Sequence, residues 1–411
     1  MLPVLVISLS LVANWVGSEN ITGLTGEVAC SHAVPAILLD PLGAATCLFV
    51  LGWLLSPFVG RHETVSDLMI QRFGPTLGGL AAVLSLIGSM LWAGAQYKAI
   101  VSLAVSLNLC SPELLEPIVA LGLLLWSLVG GLMADIWLDA LSMLVVAPTM
   151  TALAIVAWKQ IPLGALQAEE LHARSVEASL AVNKFAVGLF GNLFTEELAG
   201  RVLASKSARQ AKLACFVAAL LFATIGLSPA IIGIWSKHSG VLTGSEGENP
   251  CDAQDQVIGM AVQRLLPSQL TGKEQLLAGI LILESLNTVD TSILMCAKVM
   301  ASQARKHQLL PEAAFADHAT VVLALAVVIG VSKLGDNVWE LAEGATAAVG
   351  APLALLCILI PLAREDRWAA GLGAFLAQAT FLSLNEDGGM PFVWALLVGS
   401  ATYAALTCLG F

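Results

Sequence analysis

The residues best equipped for chemistry lie inside apolar runs. Leu286-Asn287-Thr288-Val289-Asp290-Thr291-Ser292 gathers amide, hydroxyl and carboxylate oxygens on about one and a half helical turns. Asn287, Thr288 and Thr291 fall on neighbouring faces at i, i+1 and i+4. Asp139 lies in a second such run, Ile136-Trp137-Leu138-Asp139-Ala140-Leu141, and Glu284 stands one turn before Asn287. A charged side chain at mid-membrane costs about 2.5–3.5 kcal/mol on insertion scales, so it marks an ion or substrate path. Oxygen-only ligands suit hard cations. The competing reading is a polar patch that holds helices together. Glu19, Lys98, Asp135, Glu196, Glu197 and Lys298 also fall in or near spans, and for Asp135, Glu197 and Lys298 an interfacial position is the plainer reading.

These side chains need elements to hold them, and two segments are irregular where a membrane helix should be regular. Trp15-Val16-Gly17-Ser18-Glu19-Asn20-Ile21-Thr22-Gly23-Leu24-Thr25-Gly26 places polar residues and glycines within the first span. Gly188-Leu189-Phe190-Gly191-Asn192-Leu193-Phe194-Thr195-Glu196-Glu197 does the same in the sixth. A helix interrupted at that depth frees backbone groups, which is tolerated where they line a cavity or bind an ion. Two breaks five spans apart point to two five-helix repeats with the site between them. Close glycine packing against neighbouring helices is the alternative.

Composition fixes the class. Of 411 residues, 57% are apolar and 12% are charged, about half the charge of a soluble domain. Hydropathy predicts an all-α integral membrane protein with about twelve spans, near 2–25, 36–58, 75–107, 114–133, 135–158, 180–198, 209–236, 273–302, 316–333, 338–363, 367–385 and 390–410. We expect a single polytopic domain, with repeat one over about 1–158, repeat two over about 180–363 and two extra helices over about 367–410. The N-terminus lacks the features of a cleaved signal and reads as a retained first span.

Lys and Arg set the orientation. With a cytoplasmic N-terminus, eleven fall on the inner side, Arg201 among them, against seven outside. The dense clusters 201–212 and 298–306 are both inner, so both termini are expected in the cytoplasm of a cell-membrane (plasma or inner) protein. A net charge of −11 argues against nucleic acid. No cysteine pair has metal-ligand spacing, while Cys30, Cys110 and Cys251 share the outer side, where two of them could pair. The six histidines fall in predicted loops with no nucleophile–base arrangement, so an enzyme is not expected.

Four stretches carry a resemblance. His62-Glu63-Thr64-Val65-Ser66-Asp67-Leu68-Met69-Ile70-Gln71-Arg72-Phe73-Gly74, Gly130-Gly131-Leu132-Met133-Ala134-Asp135-Ile136-Trp137-Leu138-Asp139, Glu197-Leu198-Ala199-Gly200-Arg201-Val202-Leu203-Ala204-Ser205-Lys206-Ser207 and Asn287-Thr288-Val289-Asp290-Thr291-Ser292-Ile293-Leu294 occur in this order. Together they resemble motifs of the sodium:solute symporter family, whose members carry proline, sugars, sialic acid or choline with sodium. The resemblance implies the leucine-transporter-like fold of two inverted five-helix repeats. Its main sodium site would use the carbonyls of Ala13, Val16 and Glu284 and the side chains of Asn287 and Thr288. A second sodium or proton-coupling site would use Asp139, Asp290 and Thr291, with Asn287 beside them. Solute would contact Ser18, Glu19, Asn20 and Asn192 at the breaks, with Trp92 and Gln96 facing them. The chain departs from the family in having Asn287 for the usual serine, Glu284 for a small residue and Leu138 for threonine.

The expected function is therefore sodium-coupled symport of a small polar organic solute by alternating access within a lipid bilayer. Sodium is the coupling ion, no cofactor is expected, and no partner protein is identified. Two alternatives stay open: a transporter-like sensor or accessory solute-binding membrane protein, and a proton-coupled carrier using Glu284, Asp139 or Asp290.

Overall fold

The computed structural model describes residues 3–17, 19–31, 34–62, 64–106, 111–129, 131–162, 164, 178–193, 195–241, 250–265, 273–306, 308, 314–334, 337–359, 367–384 and 391–408. Its regular elements there are helices. In chain order they are α1 (Val4–Trp15), α2 (Leu24–Cys30), α3 (Val34–Ile37), α4 (Leu39–Leu55), α5 (Val65–Ser106), α6 (Pro112–Val129), α7 (Gly131–Gln160), α8 (Ala178–Phe190) and α9 (Glu196–Leu203). They continue as α10 (Ala208–Ile225), α11 (Ser228–His238), α12 (Val257–Leu265), α13 (Lys273–Lys306), α14 (Ala314–Val331), α15 (Val338–Leu359), α16 (Arg367–Leu384) and α17 (Pro391–Cys408).

Among the described residues, five stretches are each long and apolar enough to cross a bilayer: Leu39–Phe58, Val65–Val105, Gly131–Gln160, Ala208–His238 and Gly279–Arg305. The pair Val4–Trp15 and Asn20–Cys30, bent by 53°, makes a sixth as one broken span. Shorter apolar helices cover Ala178–Phe190, Asp317–Val331, Ala369–Phe381 and Phe392–Thr407. These lengths do not by themselves fix the expected twelve.

The outer surface carries what a lipid-facing surface needs. On α6, Leu114, Ile118, Leu121 and Leu125 are all exposed, and their spacing makes one apolar stripe. Trp137, Leu141 and Leu144 expose a comparable stripe on α7. By contrast α1 is buried from Val6 to Trp15. It packs against α7, α9, α10 and α13, which puts the first span at the centre of the bundle.

Both irregular segments are breaks. α1 stops at Trp15, and a short π-helical turn, Glu19–Gly23, leads into α2. α8 stops at Phe190, and α9 restarts at Glu196. Glycine packing occurs beside them as well. A Cβ on Gly188 would meet the Asp40 carbonyl oxygen at 2.2 Å, and one on Gly26 would meet the Gln254 carbonyl oxygen at 2.2 Å. A third irregularity lies in α5, where Gly74 has φ +84° before Pro75. That left-handed glycine and the missing proline N–H separate Val65–Phe73 from the long span that follows.

On the face where α2 ends, Cys30 and Cys251 form a disulfide with Cα atoms 5.7 Å apart. It ties the broken span to the 3-10 segment Pro250–Gln256. Asp255 of that segment accepts a hydrogen bond from the Val338 N–H at 3.0 Å, capping α15. Cys110, the third outer-side cysteine, lies outside the described residues.

Candidate functional site

The end of α1 presents buried backbone oxygens. Val16 caps the helix, its N–H donating to the Val12 carbonyl at 2.8 Å, and a helix end leaves its last carbonyls without intrahelical donors. Ala13 and Val16 are both fully buried there. Gly17 fits because it is small. A Cβ at that position would lie 2.9 Å from Gln96 Oε1 and 3.0 and 3.1 Å from Thr288 Cγ2 and Oγ1. The break in the first span thus meets α5 at Gln96 and α13 at Thr288. The Thr288 hydroxyl donates to the Glu284 carbonyl at 3.1 Å.

One turn further along, a fully buried arginine organises the neighbouring acids. Arg201, on α9, donates through Nη2 to Asp135 Oδ2 at 2.9 Å and to Thr291 Oγ1 at 2.9 Å. It also bonds Asp139 Oδ2 through Nη2 and, at 3.1 Å, through Nε. Nε reaches the Ser10 hydroxyl of α1 at 2.5 Å, and Nη1 reaches the Glu197 carbonyl at 2.8 Å. The guanidinium therefore joins α1, α7, α9 and α13, a task its planar fork of five donors suits. Asp139 is engaged at both of its oxygens. Its Oδ2 also accepts from Ser10 at 2.5 Å, and its Oδ1 accepts from Asn287 Nδ2. Thr291 donates to Asp135 at 2.7 Å.

Three oxygen sets on α13 stay unused. Both Glu284 carboxylate oxygens, Asn287 Oδ1 and Asp290 Oδ2 are buried without a hydrogen-bond partner. Glu284, Asn287 and Thr288 follow at i, i+3 and i+4, one face of the helix. Asp290 points elsewhere, for Ser127 of α6 donates to its Oδ1. The residues assigned by resemblance to a second site therefore divide. Asp139 and Thr291 join Arg201, whereas Asp290 turns to α6.

The solute-contact residues are dispersed. Asn20 sits in the π turn, 6% exposed, with Oδ1 unpartnered. Asn192 is half-buried in the second break, and its carbonyl accepts from the Thr195 hydroxyl at 3.2 Å. Gln96 reaches the Gly17 break, while Trp92, one turn earlier, packs against the buried cluster of Ala95, Ala99, Val338, Leu341 and Ala342. Ser18 and the Glu19 side chain lie outside the described residues.

Three sequence-based placements are corrected. Arg201, counted as an inner-loop cation, is fully buried. Asp135 and Glu197, read as interfacial, are 2% and 3% exposed. Their burial follows from partners on other helices, Arg201 for Asp135 and Ser89, 3.2 Å away, for Glu197. Glu196 also has a structural task. Its carboxylate accepts the N–H groups of Val65 and Ser66 at 2.9 and 2.8 Å, closing the first turn of α5. Sequence reasoning passed over Ser10, Asn14 and Arg201. The i, i+4 step from Glu197 to Arg201 was the available signal.

No family model matches the chain. High-affinity choline transporter 1 of Torpedo marmorata is 23% identical over 322 residues, 71% of this chain and 52% of that protein. The human protein of that name is 22% identical over 413 residues, 94% of this chain and 69% of its own length. The chain thus spans about half to two thirds of these relatives. Among solved structures, a Na+-coupled sialic acid symporter in a substrate-bound outward-open state superposes with a TM-score of 0.75. It shares 13% identity over 98% of this chain and 90% of that one.

The chain is thus similar in sequence to high-affinity choline transporters and in fold to a Na+-coupled symporter. Mhp1, a nucleobase-cation-symport-1 family transporter in a closed conformation, matches with a TM-score of 0.63 at 15% identity, over 97% of this chain and 90% of that one. These likenesses agree with the all-helical architecture of the chain. These relatives are transporters rather than enzymes.

Proposed function

We propose that this symporter relative couples inward sodium movement to uptake of a small polar organic solute. The observation that carries this reading is the meeting of the α1 break with α13 at Gly17 and Thr288, beside unpartnered oxygens on Glu284 and Asn287. Sodium would be held by the carbonyls of Ala13, Val16 and Glu284 with Asn287 and Thr288. An ion bridging α1 and α13 favours one conformer, and solute bound at the same break favours it too, so the two ligands cooperate. Each inward sodium charge gains about 2.3 kcal/mol per 100 mV of membrane potential.

We read the repeats as residues 1–158 and 180–363, related about the two breaks, with solute near Asn20, Gln96 and Asn192. The Cys30–Cys251 disulfide supports an orientation. Disulfides persist on oxidising faces, so the face bearing α2 would be extracytoplasmic and the start of α1 cytoplasmic. Reconstituted protein tests the function. Solute-evoked currents are recorded in sodium and then in potassium, over a panel that begins with choline because the relatives carry that name. Currents in sodium alone support symport. Currents indifferent to sodium sink it, and saturable solute binding with no flux in either salt would favour a sensor.

A further inference from the structure

Resting on the sodium-symport reading, we infer that the Glu284 carboxylate is itself an anionic ligand of the coupling cation, a role that Asp139 is not free to fill. Asp139 is engaged at both oxygens. Its two oxygens accept from Arg201, Ser10, Asn14 and Asn287, about as many contacts as a carboxylate has lone-pair sites. A fixed guanidinium thereby stands where an ion bound to Asp139 and Thr291 would need to be.

Glu284 is in the opposite condition. It is fully buried, and neither carboxylate oxygen has a hydrogen-bond partner. The neighbouring Ser142 hydroxyl donates instead to the Asp139 carbonyl at 2.9 Å. Asn287 is oriented by its own bond. Its Nδ2 is committed to Asp139, which leaves Oδ1 as a second buried, unpartnered acceptor. Glu284, Asn287 and Thr288 share one face of α13, and Thr288 touches the α1 break at Gly17. That face offers free acceptors, and its donors, Asn287 Nδ2 and the Thr288 hydroxyl, are committed to Asp139 and the Glu284 carbonyl. An uncompensated buried carboxylate costs several kcal/mol, a cost that a bound cation or a proton removes. Among the described residues no three His, Cys, Asp or Glu side chains converge on a common metal position. One carboxylate with neutral oxygens fits a monovalent hard cation.

The test uses the full-length chain in detergent or nanodiscs. Thermal unfolding is followed against sodium concentration, with potassium holding ionic strength constant. Wild type is expected to be stabilised by sodium. Glu284→Gln should raise the sodium midpoint at least tenfold, and Glu284→Asp should fall between them. A second measurement needs no variant. Dicyclohexylcarbodiimide labelling of Glu284, read by peptide mass spectrometry in wild type, should be slowed by sodium and not by potassium.

If wild type responds to sodium but Glu284→Gln keeps its midpoint, and labelling is equal in both salts, the carboxylate is no ligand and the symport reading stands. If wild type shows neither sodium stabilisation nor sodium-dependent currents, the symport reading falls and this inference with it. Should Glu284→Gln fail to fold, the Glu284→Asp midpoint and the wild-type labelling decide.

Discussion

Arg201 Nη2 lies 2.9 Å from Asp135 Oδ2, an ion pair that reaches from α9 to α7 with both side chains buried. The same nitrogen bonds Asp139, so one cation faces two acids. Breaking a buried pair by removing one partner costs about 3–5 kcal/mol. Arg201→Gln should therefore lower folded yield and the unfolding temperature sharply, checked by size exclusion and thermal melts. Arg201→Lys should rescue little, since an ammonium cannot span Ser10, Asp135, Asp139 and Thr291 together. A stable, monodisperse Arg201→Gln protein would refute the hub.

Thr288 and Asp290 should respond differently. Thr288→Ala removes the hydroxyl beside the α1 break and should raise the sodium concentration for half-maximal uptake about tenfold, roughly 1.4 kcal/mol. Asp290→Asn keeps an acceptor for Ser127 and should shift that midpoint less than threefold. Sodium titration of uptake at saturating solute separates them. Equal shifts would mean that Asp290 also meets the ion.

Gly17→Ala places a methyl within 3.1 Å of Gln96 and Thr288. Overpacking of this kind costs about 1–3 kcal/mol. The expected outcome is normal expression with weakened sodium and solute binding together. Binding isotherms for both ligands provide the check, and loss of only one would show that the break does not join the two sites.

Glu196→Ala removes the acceptor for Val65 and Ser66. Loss of such a cap costs about 0.5–2 kcal/mol, so the melting temperature should fall while the preference among cationic and neutral solutes stays unchanged. A changed charge preference would mean that Glu196 also acts on the solute.

In the 3-10 segment Pro250–Gln256, burial raises the Asp255 carboxyl above its usual range, while the Val338 N–H and Lys98 oppose the shift. An acid with a raised folded pKa binds more protons folded than unfolded, so its contribution to stability falls as pH rises through the interval between the two values. Asp255→Asn should flatten that part of the stability–pH curve and keep the α15 cap. Melts across pH 4–8, a range set by the usual carboxylate value of about 4, test this, and an unchanged slope would discount Asp255.

The sequence by itself determined the class, because so little charge over so many long apolar runs leaves only a membrane interior as solvent. It also located both breaks, since glycine and polar residues at mid-span disrupt a helix whatever surrounds them. The oxygen-rich face of α13 was legible for the same local reason. What only the tertiary structure decided is how the charges pair. α9 has eight residues, including Glu196, Glu197 and Arg201, so hydropathy averaging blends it into a loop. Arg201 finds Asp139 62 positions away and Ser10 191 positions away. No local pattern encodes such distances, and desolvation makes each charge depend on partners that only folding brings near. Asp139 and Glu284 look alike as acids within apolar runs, yet folding gives the first a guanidinium and leaves the second without a donor.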